Sequence, residues 1–137
     1  MKTLGRHLIA ELFDCPQEML QDVDVVQEIL VAAARVSGAT VVQVAFHEFS
    51  PFGVSGVVVI SESHLSIHTW PEHHFAAVDV FTCGDAMKPE MAIEYMVDCF
   101  RCQYPTVVEV KRGALPAASS HRQFLHRPES AMTSDGA

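Results

Sequence analysis

Basic residues are scarce in this chain of 137 residues. Nine Lys and Arg stand against 17 Asp and Glu, which gives a formal net charge of −8 at pH 7. The few basic residues form no cluster that could neutralise a row of phosphates, so nucleic acid is not an expected partner. A negative field of this kind instead favours encounter with a cationic small molecule.

Long apolar runs are also missing. No stretch is long and apolar enough to predict a membrane span. Glu11 and Asp14 interrupt the N-terminal MKTLGRHLIAELFD before a secretory core could form, so we expect a cytoplasmic protein. The four cysteines are too few for a disulfide scaffold, and we expect them to stay reduced in that compartment.

The length allows one compact domain and excludes two of ordinary size. Periodic apolar patterns run through residues 1–113. Residues 114–137 (ALPAASSHRQFLHRPESAMTSDGA) lack such a period and are rich in Ala, Ser, Pro and His. The sequence therefore predicts a domain over residues 1–113 and a disordered C-terminal tail over residues 114–137.

Period-two alternation with β-branched and aromatic residues predicts a strand over residues 3–13, and strand-like runs predict five more over residues 40–49, 56–62, 64–70, 75–82 and 106–113. Two longer helices are expected. The first has a capping box at Asp24 and Gln27 and stops at Gly38, with an apolar face of Val26, Ile29, Leu30, Ala33 and Val36. The second opens at Pro89 and has a face of Met91, Ala92, Tyr95, Met96 and Cys99. Short loops between adjacent strands favour an α+β fold: a two-layer sandwich, with an antiparallel sheet covered by helices on one face.

Histidines are dense from His64 to His74, but we predict no metal site among them. His64 and His68 could share a strand face, yet their spacing matches no strong zinc pattern. Cys99-x-x-Cys102 has no second cysteine pair. GVSGV at 53–57 departs from a serine hydrolase elbow because Val57 replaces the required Gly.

The junction after the strand SGVVVI (55–60) is chemically crowded. SESHLSIHTW (61–70) places a carboxylate, hydroxyls and two imidazoles within eight residues. Singly, each residue has an ordinary structural explanation: Ser63 in a turn, His68 and Trp70 at the surface, and Cys83 of TCGD as a buried thiol. Taken together, these explanations are not independent of one another.

VSGVVVISESHLSIHTWPE, with FHEFSPFG before it and DVFTCGD after it, resembles the prokaryotic, pyruvoyl-dependent type of S-adenosylmethionine decarboxylase proenzyme. The likeness runs from GRHLIAE (5–11) to about Gly113. It implies that the chain cuts itself between Glu62 and Ser63 into a β chain, 1–62, and an α chain, 63–137. It also implies that Ser63 becomes a covalently bound pyruvoyl group, in place of pyridoxal phosphate or a metal, which forms a Schiff base with the substrate amine.

The resemblance assigns further roles. His68 would be the proton acceptor in processing, Cys83 the proton donor in catalysis, and Ser55 a processing helper. The substrate-binding residues would be Phe49, Leu65, Trp70 and Glu72. Two departures from the family pattern are His74, where Gly is common, and Glu48, where a basic residue is common.

The resemblance further implies a homodimer of cleaved α/β pairs, in which two sheets pack face to face as a four-layer αββα arrangement. The expected reaction converts S-adenosylmethionine to its decarboxylated form plus CO2 for spermidine biosynthesis. Three alternatives stay open at this point: a pyruvoyl-dependent arginine or ornithine decarboxylase, a processed but inactive partner subunit, and a His-rich metal-binding module that never cleaves. An unbroken strand would put Ser63 and His68 on opposite faces, so their cooperation needs a break or a second strand.

Overall fold

The computed structural model describes residues 3–115. The strands and helices follow one another as β1 (Gly5–Phe13), α1 (Gln17–Leu20), α2 (Val23–Val36), β2 (Thr40–Glu48), β3 (Val54–Ser61), β4 (Ser63–Trp70), a 3-10 helix (Pro71–His73), β5 (Phe75–Cys83), α3 (Pro89–Cys99) and β6 (Tyr104–Arg112). Within this part of the chain no helix is both long and apolar enough to cross a membrane. The predicted tail lies outside the described residues except for Ala114 and Leu115, which belong to no helix or strand.

The six strands form one antiparallel sheet in the order β2-β3-β4-β5-β1-β6. Strands β2 to β5 follow one another as a meander, and β1 inserts between β5 and β6. The helices pack against one face of this sheet. The predicted α+β sandwich is confirmed, and a sheet with one uncovered face is compatible with the four-layer dimer.

The N-cap of helix α2 lies two residues before Asp24, the position that the capping box predicted. Its N-cap is Asp22, whose carboxylate accepts from the backbone N–H groups of Asp24 and Val25. Gly38, with φ of 97°, follows the helix end as expected. The predicted apolar face is buried except for Val36, which is 45% exposed because the last turn extends past the edge of the core.

Helix α3 begins at Pro89, as predicted, but its buried face is shifted. Ala92, Ile93 and Met96 are buried, whereas Met91 is 43% exposed. Spacings of three and four residues from Pro89 through Ile93 and Met96 to Phe100 define the face that meets the sheet. The prediction of Met91 in the core was therefore wrong, and Ile93 takes its place.

Each strand alternates between the two faces of the sheet. The helix-covered face holds the core, including Leu8, Ala10, Val58, Leu65 and Val80. We call the other side the open face. It carries exposed apolar side chains from four strands, namely Ile9, Phe13, Val59, Trp70, Tyr104, Val108 and Val110.

Candidate active site

Ser63 stands at the tip of a tight hairpin. Strand β3 ends at Ser61 and β4 begins at Ser63, so Glu62 alone connects them, and Ile60 pairs directly with Ser63. Ser63 has φ of 106°, a region that side chains other than glycine rarely adopt. Such a residue persists only where its surroundings hold it, and residues of this kind cluster at functional sites.

Cys83 lies beside this hairpin. Ser63 pairs with Thr82 on the neighbouring strand β5, and Cys83 is the next residue along. Gly5 on β1 pairs in turn with Cys83. A Cβ atom at Gly5 would lie 2.7 Å from the Phe81 ring and 3.0 Å from the Thr82 carbonyl oxygen, so this corner needs glycine.

Ser55 and His68 form a second cluster. They pair across β3 and β4, and the Ser55 Oγ lies 2.7 Å from His68 Nδ1. Both side chains belong to the open face, and His68 is exposed. A hydroxyl at this distance fixes the orientation of the imidazole and leaves its Nε2 toward the uncovered side.

A groove of about 300 Å³ opens next to His68. Three of the four predicted substrate-binding residues border it, and the full lining is Phe49, Phe52, Gly53, Ser55, His68, Thr69, Trp70 and Glu72. The Phe49 N–H donates to the Gly53 carbonyl at 2.8 Å, which closes the loop between β2 and β3. Trp70 stacks on Phe75 with ring centroids 5.5 Å apart. The groove therefore combines exposed aromatic faces with one carboxylate.

The turn that presents Glu72 ends at His74. This residue has a left-handed φ of 53°, which is the conformation that a glycine would adopt most easily. Its ring Nδ1 lies 3.1 Å from the Cys15 carbonyl oxygen, and its own carbonyl accepts from the Cys15 N–H at 3.0 Å. These two hydrogen bonds to the Cys15 backbone hold the turn after Glu72, although His74 occupies it in place of a glycine.

Leu65, the fourth predicted binding residue, lies elsewhere. Its side chain is fully buried among the core residues on the helix-covered face. The side chain therefore does not reach the groove, which opens on the other side of the sheet, and a binding role for Leu65 stays a prediction.

The Ser63 hairpin and the His68 cluster lie at opposite ends of β4. Five residues of unbroken strand separate Ser63 from His68, which amounts to roughly 16 Å at about 3.3 Å per residue. A hydrogen bond requires about 3 Å. One protomer therefore does not bring His68 to Ser63.

Between these two ends the open face carries a polar network that the sequence did not reveal. His7 Nε2 lies 2.8 Å from Asp79 Oδ2, and Arg112 Nη1 lies 2.9 Å from His7 Nδ1. Ser66 donates to Asp79 as well. His64 Nε2 is 4.0 Å from Asp79 Oδ1. The residues come from four strands, so only the register brings them together.

His7, His64 and Asp79 have ligand atoms within 4.8 Å of one another, which is the separation expected around a metal ion. The hydrogen bonds do not suit that use. Because a guanidinium only donates, His7 Nδ1 must accept from Arg112, and the neutral ring then carries its proton on Nε2, toward Asp79. A metal ligand would need that nitrogen free of its proton.

Comparison with solved structures identifies the class of protein that has this fold. The crystal structure of the adenosylmethionine decarboxylase from Aquifex aeolicus superposes with a TM-score of 0.80 at 35% identity, over 85% of this chain and 96% of that one. This chain therefore has the fold of that decarboxylase.

Sequence relatives make the assignment specific. The S-adenosylmethionine decarboxylase proenzyme of Thermodesulfovibrio yellowstonii is 57% identical over 122 residues, 89% of this chain and 87% of that one. The proenzyme of Carboxydothermus hydrogenoformans is also 57% identical, over 92% of this chain and 99% of its own length. The family model for S-adenosylmethionine decarboxylase matches residues 6–113. The chain belongs to the S-adenosylmethionine decarboxylase family, and the predicted resemblance is confirmed.

Proposed function

We propose that this chain is a self-processing decarboxylase that converts S-adenosylmethionine to its decarboxylated form plus CO2 and so serves spermidine biosynthesis. The observation that carries the proposal is Ser63, a non-glycine residue at φ of 106° directly after the tight turn of the β3–β4 hairpin and beside Cys83. The names of its relatives, which include the word proenzyme, support a chain that is made in a precursor form.

Processing would begin at the Glu62–Ser63 bond. The Ser63 hydroxyl attacks the Glu62 carbonyl carbon, the C–N bond breaks, and an ester replaces the amide. A base then removes the Ser63 α-proton, and the Glu62 carboxylate leaves. Tautomerisation and hydrolysis of the remaining dehydroalanine release ammonia and leave a pyruvoyl group at the start of residues 63–137, with 1–62 as the second chain.

His68 is the proposed base, but in its own protomer it is too far from Ser63. A homodimer resolves the conflict. In a two-fold interface each surface meets its counterpart, so the His68 end of one sheet can cover the Ser63 end of the other. The exposed apolar side chains of the open face support such an interface, since a patch of this kind marks a contact surface. Each site would then combine Ser63 and Cys83 of one protomer with Ser55 and His68 of its partner.

The same composite site would perform the decarboxylation. A pyruvoyl group at Ser63 supplies a ketone that acts as an electron sink for the bond to the departing carboxylate. Cys83, beside Ser63 in the register, is the proposed donor of the proton that returns to the substrate α-carbon. Gly5 allows the Phe81 ring and the Thr82 backbone to pack closely at this corner.

The groove suits an adenosyl substrate. Phe49 and Trp70 offer aromatic faces to a purine and to a cationic sulfonium, and Glu72 offers acceptor atoms to ribose hydroxyl groups. The net charge of −8 also attracts a cation. Arginine and ornithine lack a base to stack, and the relatives do not favour these substrates. A cytoplasmic location remains a prediction from the sequence.

Intact-mass analysis of the purified protein tests the processing. We expect two chains that separate between Glu62 and Ser63, with a borohydride-reducible carbonyl on the larger one. Ser63→Ala should give a single full-length chain, whereas Ser61→Ala, the matched change on the other side of Glu62, should still cleave. Fragments in the Ser63→Ala protein would overturn the proposed cut.

Carbon dioxide release tests the substrate. The cleaved protein should release labelled CO2 from carboxyl-labelled S-adenosylmethionine and at least about a hundredfold more slowly from arginine or ornithine, since neither fills the aromatic groove. Faster release from either amino acid would overturn the assignment. Fragments with no turnover on any of the three would identify an inactive partner subunit.

A further inference from the structure

Two cysteine thiols meet at the end of β1 that lies away from Cys83. Phe13, the last residue of β1, pairs with Tyr104, the first residue of β6. Cys15 and Cys102 each lie two residues beyond this last pair, and their thiols interact with each other. The Cys102 Sγ donates to the Phe13 carbonyl at 3.1 Å, and the Cys15 Sγ donates to the Leu12 carbonyl at 3.7 Å. Both thiols therefore bond to the last two residues of β1 and lie next to each other.

The two thiols differ in access. Cys15 is 1% exposed, with its backbone fixed by the hydrogen bond from its N–H to the His74 carbonyl. Cys102 is half-buried. Burial, with the neighbouring Cys102 thiol, raises the pKa of Cys15 to about 12. A small oxidant in solution therefore reaches Cys102 first, and Cys15 stays protonated at neutral pH.

We propose that Cys15 and Cys102 form a peroxide-induced disulfide that covalently joins the two chains after self-cleavage, an inference that rests on the proposed cut between Glu62 and Ser63. Cys15 belongs to residues 1–62 and Cys102 to residues 63–137. The bond would thus replace, at the opposite end of β1, the covalent connection that processing removes.

The chemistry needs only a peroxide. The Cys102 sulfur attacks one oxygen of hydrogen peroxide, the O–O bond breaks, and a sulfenic acid and one water result. The Cys15 sulfur then loses its proton and attacks the Cys102 sulfur, and the hydroxyl group leaves as a second water. Two thiols are oxidised to one disulfide while one peroxide is reduced to two waters.

Cys83 and Cys99 are the competing thiols in residues 63–137. Cys83 pairs with Gly5 at the far end of β1, and eight residues of strand at about 3.3 Å each separate Gly5 from Phe13, roughly 26 Å. Cys99 lies on α3, where its thiol contacts Tyr95. Neither is placed opposite Cys15, so Cys99→Ser is a matched control for Cys102→Ser.

The test exposes the cleaved protein to hydrogen peroxide at pH 8, blocks remaining thiols with N-ethylmaleimide and separates the chains without reductant. We expect one species with the mass of both chains less two hydrogens, which dithiothreitol splits. Cys102→Ser and Cys15→Ala should each abolish it, and Cys99→Ser should keep it. A link that survives Cys102→Ser, a link lost in Cys99→Ser, or no link in the unsubstituted protein would overturn the proposal.

The uncleaved Ser63→Ala protein separates this inference from the proposed processing. Peroxide should lower its intact mass by two hydrogens, and a tryptic digest should yield one linked peptide pair containing Cys15 and Cys102. If that disulfide forms but the unsubstituted protein never cleaves, the processing proposal fails and the disulfide stands. Because Cys15 must lose its proton, the rate of closure should rise by up to about tenfold per pH unit from pH 7 to pH 9.

Discussion

The Ser55 hydroxyl and the His68 imidazole lie 2.7 Å apart across β3 and β4, on the open face and at the far end of β4 from Ser63. The pair is formed before any partner binds, since register alone sets Ser55 opposite His68. Within one protomer, however, Ser63 lies out of reach of this His68. This separation makes the proposed dimer a requirement for processing and leads to a test that a self-contained site would fail.

Processing should therefore show complementation between two inactive chains. His68→Ala alone should slow cleavage by about 10²- to 10⁴-fold, the usual contribution of a general base. Coexpressed with a tagged Ser63→Ala chain, the His68→Ala chain should cleave, because the mixed dimer has one site with both Ser63 and His68 intact. Intact mass of the two chains reports the result.

The double variant Ser63→Ala/His68→Ala is the control for complementation. Coexpressed with the His68→Ala chain, it supplies a dimer partner but no His68 and should rescue nothing. If the His68→Ala chain cleaves at the normal rate alone, or stays whole beside Ser63→Ala, the composite site is refuted.

Cys83 should separate processing from catalysis. Since Cys83 is the proposed proton donor to the substrate and not the processing base, Cys83→Ala should still yield two chains. Its decarboxylation rate should fall by about 10²- to 10⁴-fold. Cys99→Ala is the matched control and should keep full activity. An intact Cys83→Ala chain would instead assign this thiol to the cut, and unchanged turnover would remove it from the mechanism.

A charged substitution on the open face should prevent dimerisation. Ile9 and Val108 pair across β1 and β6 on this face, and Val108 is 61% exposed in the protomer. Ile9→Lys or Val108→Lys would bury an unpaired ammonium in the proposed interface and should give monomers by sedimentation at micromolar concentration. Monomers should also stay uncleaved.

Val107 provides the control for this surface test. It is 47% exposed and follows the alternation of β6 onto the helix-covered side, next to Ile93 and Pro105. Val107→Lys adds the same charge one residue away and should remain dimeric and cleaved. If Val108→Lys stays dimeric and Val107→Lys becomes monomeric, the interface lies on the helix-covered side and not on the open face.

Local patterns were enough to predict most of the fold. The apolar run SGVVVI and the alternating HLSIHTW defined two strands that the structure confirms, and in the second the alternation reflects burial of one side of the sheet. Gly38 and Pro89 marked a helix end and a helix start through backbone conformations that few other residues favour. Val36 and Met91 were misplaced because helix periodicity does not say where the underlying sheet ends.

The site was predicted less completely than the fold. The residues of the crowded junction lie close together in the sequence, so the sequence alone identifies them, but it does not predict how they group in space. Ser63 and His68 belong to separate clusters, and Leu65 points into the core. The network of His7 with Asp79 depends on pairing β1 with β5 across about seventy residues, and no local pattern encodes that register.

Arg6 provides a test of electrostatic stability on the helix-covered side. Its guanidinium bonds Glu109 on β6 and Glu90 on α3, and it lowers the pKa of both carboxyl groups. Groups with a lowered pKa stabilise the fold above their unfolded pKa, about 4.5, and lose that contribution as pH falls through the folded value. Arg6→Gln should therefore lower the melting temperature by a few degrees at most at pH 7 and by progressively less as the pH falls below about 4.5.

The control for Arg6 is Lys111→Gln. Lys111 lies 4.0 Å from Glu109 and its side chain is mostly exposed. Its replacement changes the net charge as much as Arg6→Gln does but removes only this long, exposed ion pair. Thermal unfolding by circular dichroism at pH 7 and pH 3 decides the matter. An Arg6→Gln effect that is as large at pH 3 as at pH 7 would attribute the difference to packing, and a Lys111→Gln effect of equal size at pH 7 would attribute it to net charge.

Phe49 should affect substrate binding through its ring. It is 49% exposed at the mouth of the groove, with its ring centroid 4.5 Å from that of His47, so one aromatic face is available to a purine. Phe49→Leu keeps apolar bulk and removes stacking that is worth about 1 kcal/mol, so KM for S-adenosylmethionine should rise about fivefold with kcat little changed. Phe49→Tyr keeps the ring and should restore KM.

Phe52 borders the same groove, and Phe52→Leu should have the smaller effect. A larger rise in KM at Phe52 than at Phe49 would move the stacking role to Phe52, and a fall in kcat alone at Phe49 would mean that its ring acts on the reacting atoms and not on the adenine.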